Sequence, residues 1–328
     1  MLRKNYDNQK KFDKSLKVSV IIPNYNGEKL IDDCLKSLYA QTLKPREIII
    51  IDNASTDNSR IVIKRNYPEV KMIFLKKNKG FAYAVNLGIK KSSCSKVLIL
   101  NNDTIVDGKA IELLVYTLNK KSDYIAGVVP CVINTTNGIK SIGAYVNELG
   151  QAFVKPVFTK KISDTGEVFL ATGAAILCRK EIFAEIGYFE EKFFAYAEDI
   201  DWSFRAQLRG YKFVYNNKAI IFHIEKATSS KLPKLLEYLQ YRNAYLFIIR
   251  CFPREVLFKR FRFIRMFATN INTFVYLVLK GFGIEALKAN FWLLINVHWI
   301  IQSRKKILND CLVSIDYIEK HLRSKDVR

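Results

Sequence analysis

The sequence predicts an α/β fold, a mostly parallel sheet covered by helices on both faces, followed by a helical C-terminal region. Three features carry this. Apolar runs of five or six residues alternate with helical patterns from Lys17 to Asn119, which is how βα units buried on both sides read in sequence. Several of these runs end directly in Asn- and Asp-rich clusters, as strands do when they open into polar loops. Beyond Ser230 the strand signals vanish and aromatic, basic helical patterns take over. The chain therefore divides into a basic leader (1–16), a catalytic-type α/β region (17–230) and a basic, aromatic-rich helical region (231–328).

Lys17–Ile22 is a short apolar run, a buried strand entering the loop Pro23-Asn24-Tyr25-Asn26-Gly27. Leu30, Ile31, Cys34, Leu35 and Leu38 then fall on one helical face. The pattern repeats with the strand Glu47–Asp52, a loop of capping residues from Asn53 to Asn58 and a helix over Ser59–Asn66. Strands at Val70–Leu75 and Lys96–Leu100 alternate with helices at Phe81–Lys90 and Gly108–Asn119. Tyr124–Val157 reads as short strands and turns, and Glu167–Cys178 as a strand carrying Thr172-Gly173-Ala174. A helix over Lys180–Ile186 ends at Gly187, and a second, led in by Phe193–Trp202, runs to about Arg209 and closes at Gly210. Lys212–Tyr215 and Ala219–Ile224 complete the strands.

Composition limits the partners. With 328 residues, 49% hydrophobic and 26% charged, the chain is neither disordered, collagen-like nor a small disulfide scaffold. Its net charge is +22, and half of that surplus, 18 Lys+Arg against 7 Asp+Glu, lies in the last 98 residues. Such a surplus points to phosphate-bearing partners: nucleic acid, an anionic membrane or phosphorylated small molecules. The six cysteines are scattered, without C-x-x-C or zinc spacing, which predicts a reduced, cytosolic chain. The leader has no apolar core, so no cleaved secretory signal is expected. Met266–Leu279 and Ala289–Ser303, 14 and 15 residues long, fall short of the ~20 needed to span a bilayer.

In open α/β sheets ligands bind beyond the carboxyl ends of the strands. Those ends are Pro23-Asn24-Tyr25, Asp52-Asn53 and Asn101-Asn102-Asp103. Any one of them reads as a turn or a cap. Three on one rim point to a binding site.

Val18–Asn26, Ile51–Asp57, Asn78-Lys79-Gly80-Phe81, Leu100–Thr104, Thr172-Gly173 and Glu198-Asp-Ile-Asp-Trp202 stand in an order and spacing that resembles family 2 glycosyltransferases of the GT-A fold, within them the rhamnosyltransferase-like branch. The resemblance covers most of 17–230. It implies a mixed central sheet and a nucleotide-sugar donor, with dTDP-rhamnose first and UDP sugars behind it. It assigns Asp52 to the nucleotide base, where its carboxylate could accept from a base N–H or a ribose hydroxyl, with Pro23, Asn24, Tyr25 and Asn53 beside it. Asn101 and Asn102 flank the nucleotide, and Gly80 lets backbone approach the diphosphate. Asn101-Asn102-Asp103 replaces the family's D-x-D, leaving Asp103 as the direct ligand of a divalent cation, Mg²⁺ or Mn²⁺.

Glu198, Asp199 and Asp201 open a helix. They would complement its dipole, and Asp201 can pair with Arg205 at i+4. The apolar neighbours Phe193, Phe194, Tyr196 and Trp202 would also raise a carboxylate pKa toward that of a general base. The resemblance implies Asp199 as the base of an inverting transfer, with Glu198 second, and Gly173, Asp201 and Trp202 as further donor or acceptor contacts. His223 ends an apolar strand; it is either a satisfied core histidine or a contact to diphosphate or metal.

In the tail, Leu257, Phe261, Ile264 and Ala268 form an apolar stripe, with Lys259 and Arg262 across from it and Arg265 beside it. The stripe packs inward or lies on an anionic bilayer. The resemblance implies a glycan or lipid-linked acceptor, which favours peripheral association with the inner face of the cell membrane. Three other readings compete. A nucleotidyltransferase would carry a Gly-rich first loop, and a nicotinamide enzyme a G-x-G-x-x-G. A nucleic-acid binder would show zinc-finger, RNP or basic-zipper patterns, and nucleic acid is not expected as a partner.

Overall fold

A computed structural model describes residues 16–157, 162–224 and 232–322. The basic leader up to residue 15 and the boundary expected near residue 230 lie outside the described residues.

The alternating pattern folds as expected. β1 (Ser19–Asn24), β2 (Glu47–Asp52), β3 (Lys71–Phe74) and β4 (Lys96–Leu100) are joined by α1 (Ile31–Tyr39), α2 (Ser59–Asn66) and α3 (Phe81–Lys91). All four strands are parallel, in the order β3-β2-β1-β4. β1 and β4 are buried along their whole length, so their apolar runs are continuous rather than alternating, as two-sided burial requires. Each fully buried Ile or Leu contributes about 1.5–3 kcal/mol.

A short β5 (Thr104–Val106), which the sequence pattern does not single out, and α4 (Ala110–Asn119) lead into the second half. There β6 (Ile125–Asn134), β7 (Lys140–Val146), β8 (Ala152–Pro156), β9 (Thr165–Val168), β10 (Ala175–Arg179) and β11 (Lys212–His223) extend the sheet, with α5 (Glu181–Ile186) and α6 (Glu198–Leu208) between the last two. The path continues β4-β10-β6-β11-β5. β10 is antiparallel to both its neighbours, whereas β11 is parallel to β6, so the sheet is mixed.

Two expectations are corrected. The strand predicted over Glu167–Cys178 is split, with residues 169–174 free of regular strand, so Thr172-Gly173 forms a loop at the rim. The two strands predicted at 212–215 and 219–224 are one, β11, with its register shifted between Asn216 and Ile220. The irregularity accommodates Asn216, whose amide oxygen accepts from the N–H groups of Lys218 and Ala219.

Helices α7 (Pro233–Cys251), α8 (Arg254–Phe258), α9 (Arg262–Leu279), α10 (Gly283–Ile295), α11 (Val297–Asn309) and α12 (Ile315–Leu322) make up the C-terminal region. It shares a core with the sheet region: Leu246, Phe247, Phe252, Ile300 and Leu322 pack with Val146, Leu170, Phe193 and Phe204. Charge reinforces this seam. Asp201, fully buried, accepts from Arg205 Nε at 2.8 Å and from Arg250 Nη1 at 2.7 Å. Removing one member of such a group would strand a buried charge, at about 3–5 kcal/mol.

The predicted tail stripe is corrected as well. Phe261 takes a left-handed conformation, φ 54°, and breaks the helix between α8 and α9. Arg262 turns inward, where Glu319 accepts from it at 2.6 Å, instead of facing solvent. Among the described residues no helix is long and apolar enough to cross a membrane.

Candidate active site

The rim of the site is built by the polar residues that end the parallel strands, because β1 lies between β2 and β4 and the connections leave it in opposite directions. Asn24 is its hub. Its amide nitrogen approaches Ser59 Oγ at 3.1 Å, Ser55 Oγ at 3.3 Å and Asp52 Oδ1 at 3.4 Å, and its oxygen accepts from Asn102 at 2.9 Å. All three strand-end clusters are thus tied by one buried side chain. Pro23 is buried behind it and Tyr25 is half-buried beside it. Gly27 is obligatory: a Cβ there would stand 2.3 Å from Asn24 Oδ1 and 2.4 Å from Asn102 Nδ2.

Asp52 is fully buried, and Arg60 on α2 donates to its Oδ2 from Nε at 2.6 Å and Nη2 at 2.5 Å. Sequence reasoning missed Arg60. Its signal is its place on the first turns of α2, eight residues after Asp52. The guanidinium also lies 5.4 Å from the ring centroid of Phe74, which is half exposed at the end of the neighbouring strand. Ser55 N–H and Asn24 also donate to the Asp52 carboxylate, so its oxygens are engaged within the protein, and the groups this edge presents to a planar ring are the Arg60 guanidinium and the Phe74 face.

Asn53 holds the Asn78-Lys79-Gly80 loop: its amide donates to Gly80 O at 3.0 Å and accepts from Lys79 N–H at 2.8 Å. Gly80 has φ 88° and ψ 169°, a region essentially closed to other residues. A Cβ there would meet Phe194 O at 2.4 Å.

Beyond β4, Asn101 N–H donates to Ala174 O, and β11 pairs with β5 so that His223 lies opposite Thr104. This brings His223 Nε2 to 3.1 Å from Asp103 Oδ1 and 3.4 Å from Asn101 Nδ2. The contact to Asp103 lacks hydrogen-bond geometry, so Asn101 Oδ1 and Asp103 Oδ1 are both buried with no hydrogen-bond partner. Two orphaned oxygens beside an imidazole nitrogen fit a hard divalent cation that completes its shell from a diphosphate. No group of three His, Cys, Asp or Glu side chains capable of holding a metal occurs among the described residues.

Beside this end of the rim, where Gly173 N–H donates to Asp199 and Ala174, next to Gly173, accepts from Asn101 N–H, stands α6. The chain enters it through Phe194, Tyr196 and Ala197, all with positive φ, 67°, 69° and 66°. Phe194, at ψ −65°, is the centre of a positive-φ γ-turn, closed by Ala195 N–H donating to Phe193 O at 2.8 Å. Such conformations cost about 1–3 kcal/mol each and persist only where the surroundings enforce them.

Glu198 follows, buried, with Oε2 unpartnered; burial, then the charge of Asp199, push its carboxyl well above the usual range. Asp199 is half-buried at the cleft. Burial raises its pKa too, but N–H groups of Gly173 at 2.5 Å and Ile200 at 2.8 Å donate to its carboxylate and favour the ionised form. The two neighbours thus differ: Glu198 is buried with an unpartnered oxygen, whereas Asp199 is oriented by two N–H donors. Gly173 serves here as the donor that orients Asp199.

Two expected contacts do not face the cleft. Asp201 is consumed by Arg205 and Arg250, as its i+4 spacing foreshadows. Trp202 is a core residue, stacked on Phe183 at 4.5 Å with its indole N–H donating to Gly187 O at 3.0 Å. Both are buried on α6, two and three residues past Asp199.

Residues 19–187 match the Glycosyl transferase family 2 domain. The chain belongs to that family. Poly-β-1,6-N-acetyl-D-glucosamine synthase of Staphylococcus aureus is 29% identical to this family 2 member over 271 residues, 81% of this chain and 64% of the synthase. The chain thus spans less than two thirds of that relative. A mannosyltransferase from Pyrobaculum calidifontis, solved with GDP-Man and Mn²⁺, superposes with a TM-score of 0.52 at 15% identity, over 94% of this chain and 88% of the other. Residues 1–349 of S. aureus TarS in complex with UDP give 0.50 at 20% identity, over 73% and 67%. These likenesses identify the fold as GT-A with a C-terminal helical region.

Proposed function

We propose that the protein is an inverting glycosyltransferase that moves a sugar from a nucleoside diphosphate to a hydroxyl of a glycan or lipid-linked acceptor. What supports it is Asp199, to whose carboxylate the N–H groups of Gly173 and Ile200 donate, beside Glu198, whose carboxyl burial pushes well upward, with Ala174, next to Gly173, accepting from Asn101 N–H at the rim. Asp199 removes the acceptor proton while the hydroxyl attacks the anomeric carbon. Glu198, neutral, keeps a second negative charge away from the base. Asp52 with Arg60 receives the base of the nucleotide, and the Gly80 loop approaches the diphosphate. Asp103, His223 and the Asn101 amide oxygen would hold Mg²⁺ or Mn²⁺, which supplies positive charge for the departing diphosphate.

For the donor, the motif resemblance ranks dTDP-rhamnose first, whereas the named relative makes an N-acetylglucosamine polymer and one structural neighbour binds UDP. Both candidates present a pyrimidine N–H to Asp52. The relatives favour UDP-N-acetylglucosamine of the two. The helical region is proposed to rest on the anionic inner face of the cell membrane, placing the enzyme in the cytoplasm beside its acceptor. Exposed Phe263, Ile264, Phe267 and Ile271 on α9 and Leu287, Phe291 and Leu294 on α10, with Lys280 and Lys288 nearby, support this.

The test is a thermal-shift and transfer screen of UDP- and dTDP-sugars with and without Mn²⁺, run with Asp199→Asn in parallel. Transfer should fall about 10²–10⁴-fold while nucleotide binding survives. Near-normal turnover by the variant would refute Asp199 as the base.

A further inference from the structure

Helix α7 reaches into the active site from the C-terminal region. The Asn243 side chain is fully buried, and its amide nitrogen, with two hydrogens to share, lies within hydrogen-bond reach of three carbonyls of one turn: Phe193 O at 3.0 Å, Ala195 O at 2.8 Å and Tyr196 O at 2.8 Å. Its amide oxygen accepts from Arg242 Nε at 2.9 Å, which fixes the amide so that the nitrogen faces the chain. Arg242 adds its own donations, from Nη2 to Lys192 O and Phe193 O at 2.9 Å each, and its guanidinium lies 4.5 Å from the ring centroid of Trp292 on α10. The carbonyls that two neighbouring side chains gather are those of the γ-turn and the left-handed residues leading to Glu198.

That turn has two outlets. At one end it delivers Glu198 and Asp199. At the other, Phe194 O accepts from Ala82 N–H at 3.2 Å, the first turn of α3, and leaves room only for a glycine at position 80. An unusual backbone conformation therefore links the base to the loop that approaches the diphosphate, and its residues, Phe, Ala, Tyr and Ala, are not of the kinds that favour positive φ. A hydrogen-bond donor arriving from 50 residues away supplies the constraint.

We propose that Asn243 is a positioning residue for the Glu198–Asp199 pair: its amide, oriented by Arg242, holds the Phe193–Tyr196 turn in the conformation that aims Asp199 at the acceptor. The inference rests on the reading of Asp199 as the base. It also gives the helical region a part in the chemistry beyond any contact with a membrane.

The experiment compares Asn243→Leu, which keeps the side-chain volume and removes the donors, with Asp199→Asn and the parent, all as full-length chains. Amide hydrogen exchange over 193–201 should quicken at least tenfold in Asn243→Leu, with UDP and Mn²⁺ affinity within threefold of the parent. Release of nucleoside diphosphate from UDP-N-acetylglucosamine or dTDP-rhamnose should fall at least tenfold in kcat with KM little changed. Unchanged exchange, or a parental kcat in Asn243→Leu, would overturn the proposal by showing that packing alone suffices. If Asp199→Asn turns over normally while exchange quickens in Asn243→Leu, the turn is held as proposed and only the base assignment fails. Should Asn243→Leu not fold, Arg242→Lys, which loses the donation to Asn243 Oδ1, must show the same exchange and kcat changes to a smaller degree; a parental profile there would equally overturn it.

Discussion

Glu198 illustrates how one residue can serve function against stability. Its folded-state pKa lies above the ordinary value of 4.5, first because burial disfavours the charge and then because Asp199 adds repulsion. The folded protein therefore keeps a proton that the unfolded chain releases as pH rises past that value. Stability is full below it and is lost as pH climbs toward the raised native pKa. Glu198→Gln carries no such proton and should melt higher than the parent at pH 7–8, by about 2–4 °C for each kcal/mol relieved, with the gain vanishing below pH 4. Melting curves across pH read this directly. A variant no more stable than the parent at neutral pH would show that Glu198 is not strained by its burial.

At the scale of elements, the site is made where loops are forced together. The Asn78-Lys79-Gly80 loop is clamped by Asn53 from one side and capped by Phe194 from the other. Gly80→Ala combines a forbidden backbone region with a Cβ pressed onto a carbonyl oxygen. It should cost about 1–3 kcal/mol from the backbone conformation alone, and more if Phe194 moves. Because the same displacement disturbs both the diphosphate loop and the turn before α6, UDP affinity and turnover should fall together. Chemical denaturation and UDP titration measure the two; wild-type values in both would mean that the contact between loop and turn is dispensable.

At the scale of the whole molecule, the helical region has an inner and an outer role. Inside, Arg250, paired with Asp201, and the Phe247–Phe252 pair, packed on Phe204, bind it to the sheet region. Outside, α9 and α10 expose apolar side chains, Phe267 and Ile271 on the one and Phe291 and Leu294 on the other. The full-length chain should pellet with phosphatidylglycerol vesicles at low ionic strength and be released by high salt or detergent. Phe267→Ser with Phe291→Ser should weaken that retention severalfold without lowering transfer to a soluble acceptor. A chain that stays in the supernatant with such vesicles at low salt would contradict the membrane reading.

Much of this was legible in the residues alone. The βα alternation, the three strand-end clusters and the acidic opening of α6 are local patterns, because a strand buried on both faces must be apolar throughout and must end where polar groups can reach a ligand or solvent. The sequence therefore determined the α/β region, its rim and the pair Glu198 and Asp199. What it could not decide were the residues whose role depends on a partner far along the chain. Asp201 and Asp199 lie two positions apart in the same acidic cluster, yet one faces Arg250 from α7 and the other the cleft. Arg262 looked like a surface cation until Glu319 packed over it, and Asn243 carries no motif at all. Burial and hydrogen-bond partners are set by long-range packing, so only the tertiary structure could turn the C-terminal helices from an attached basic surface into a region that shares the sheet's core and hydrogen-bonds the turn before α6.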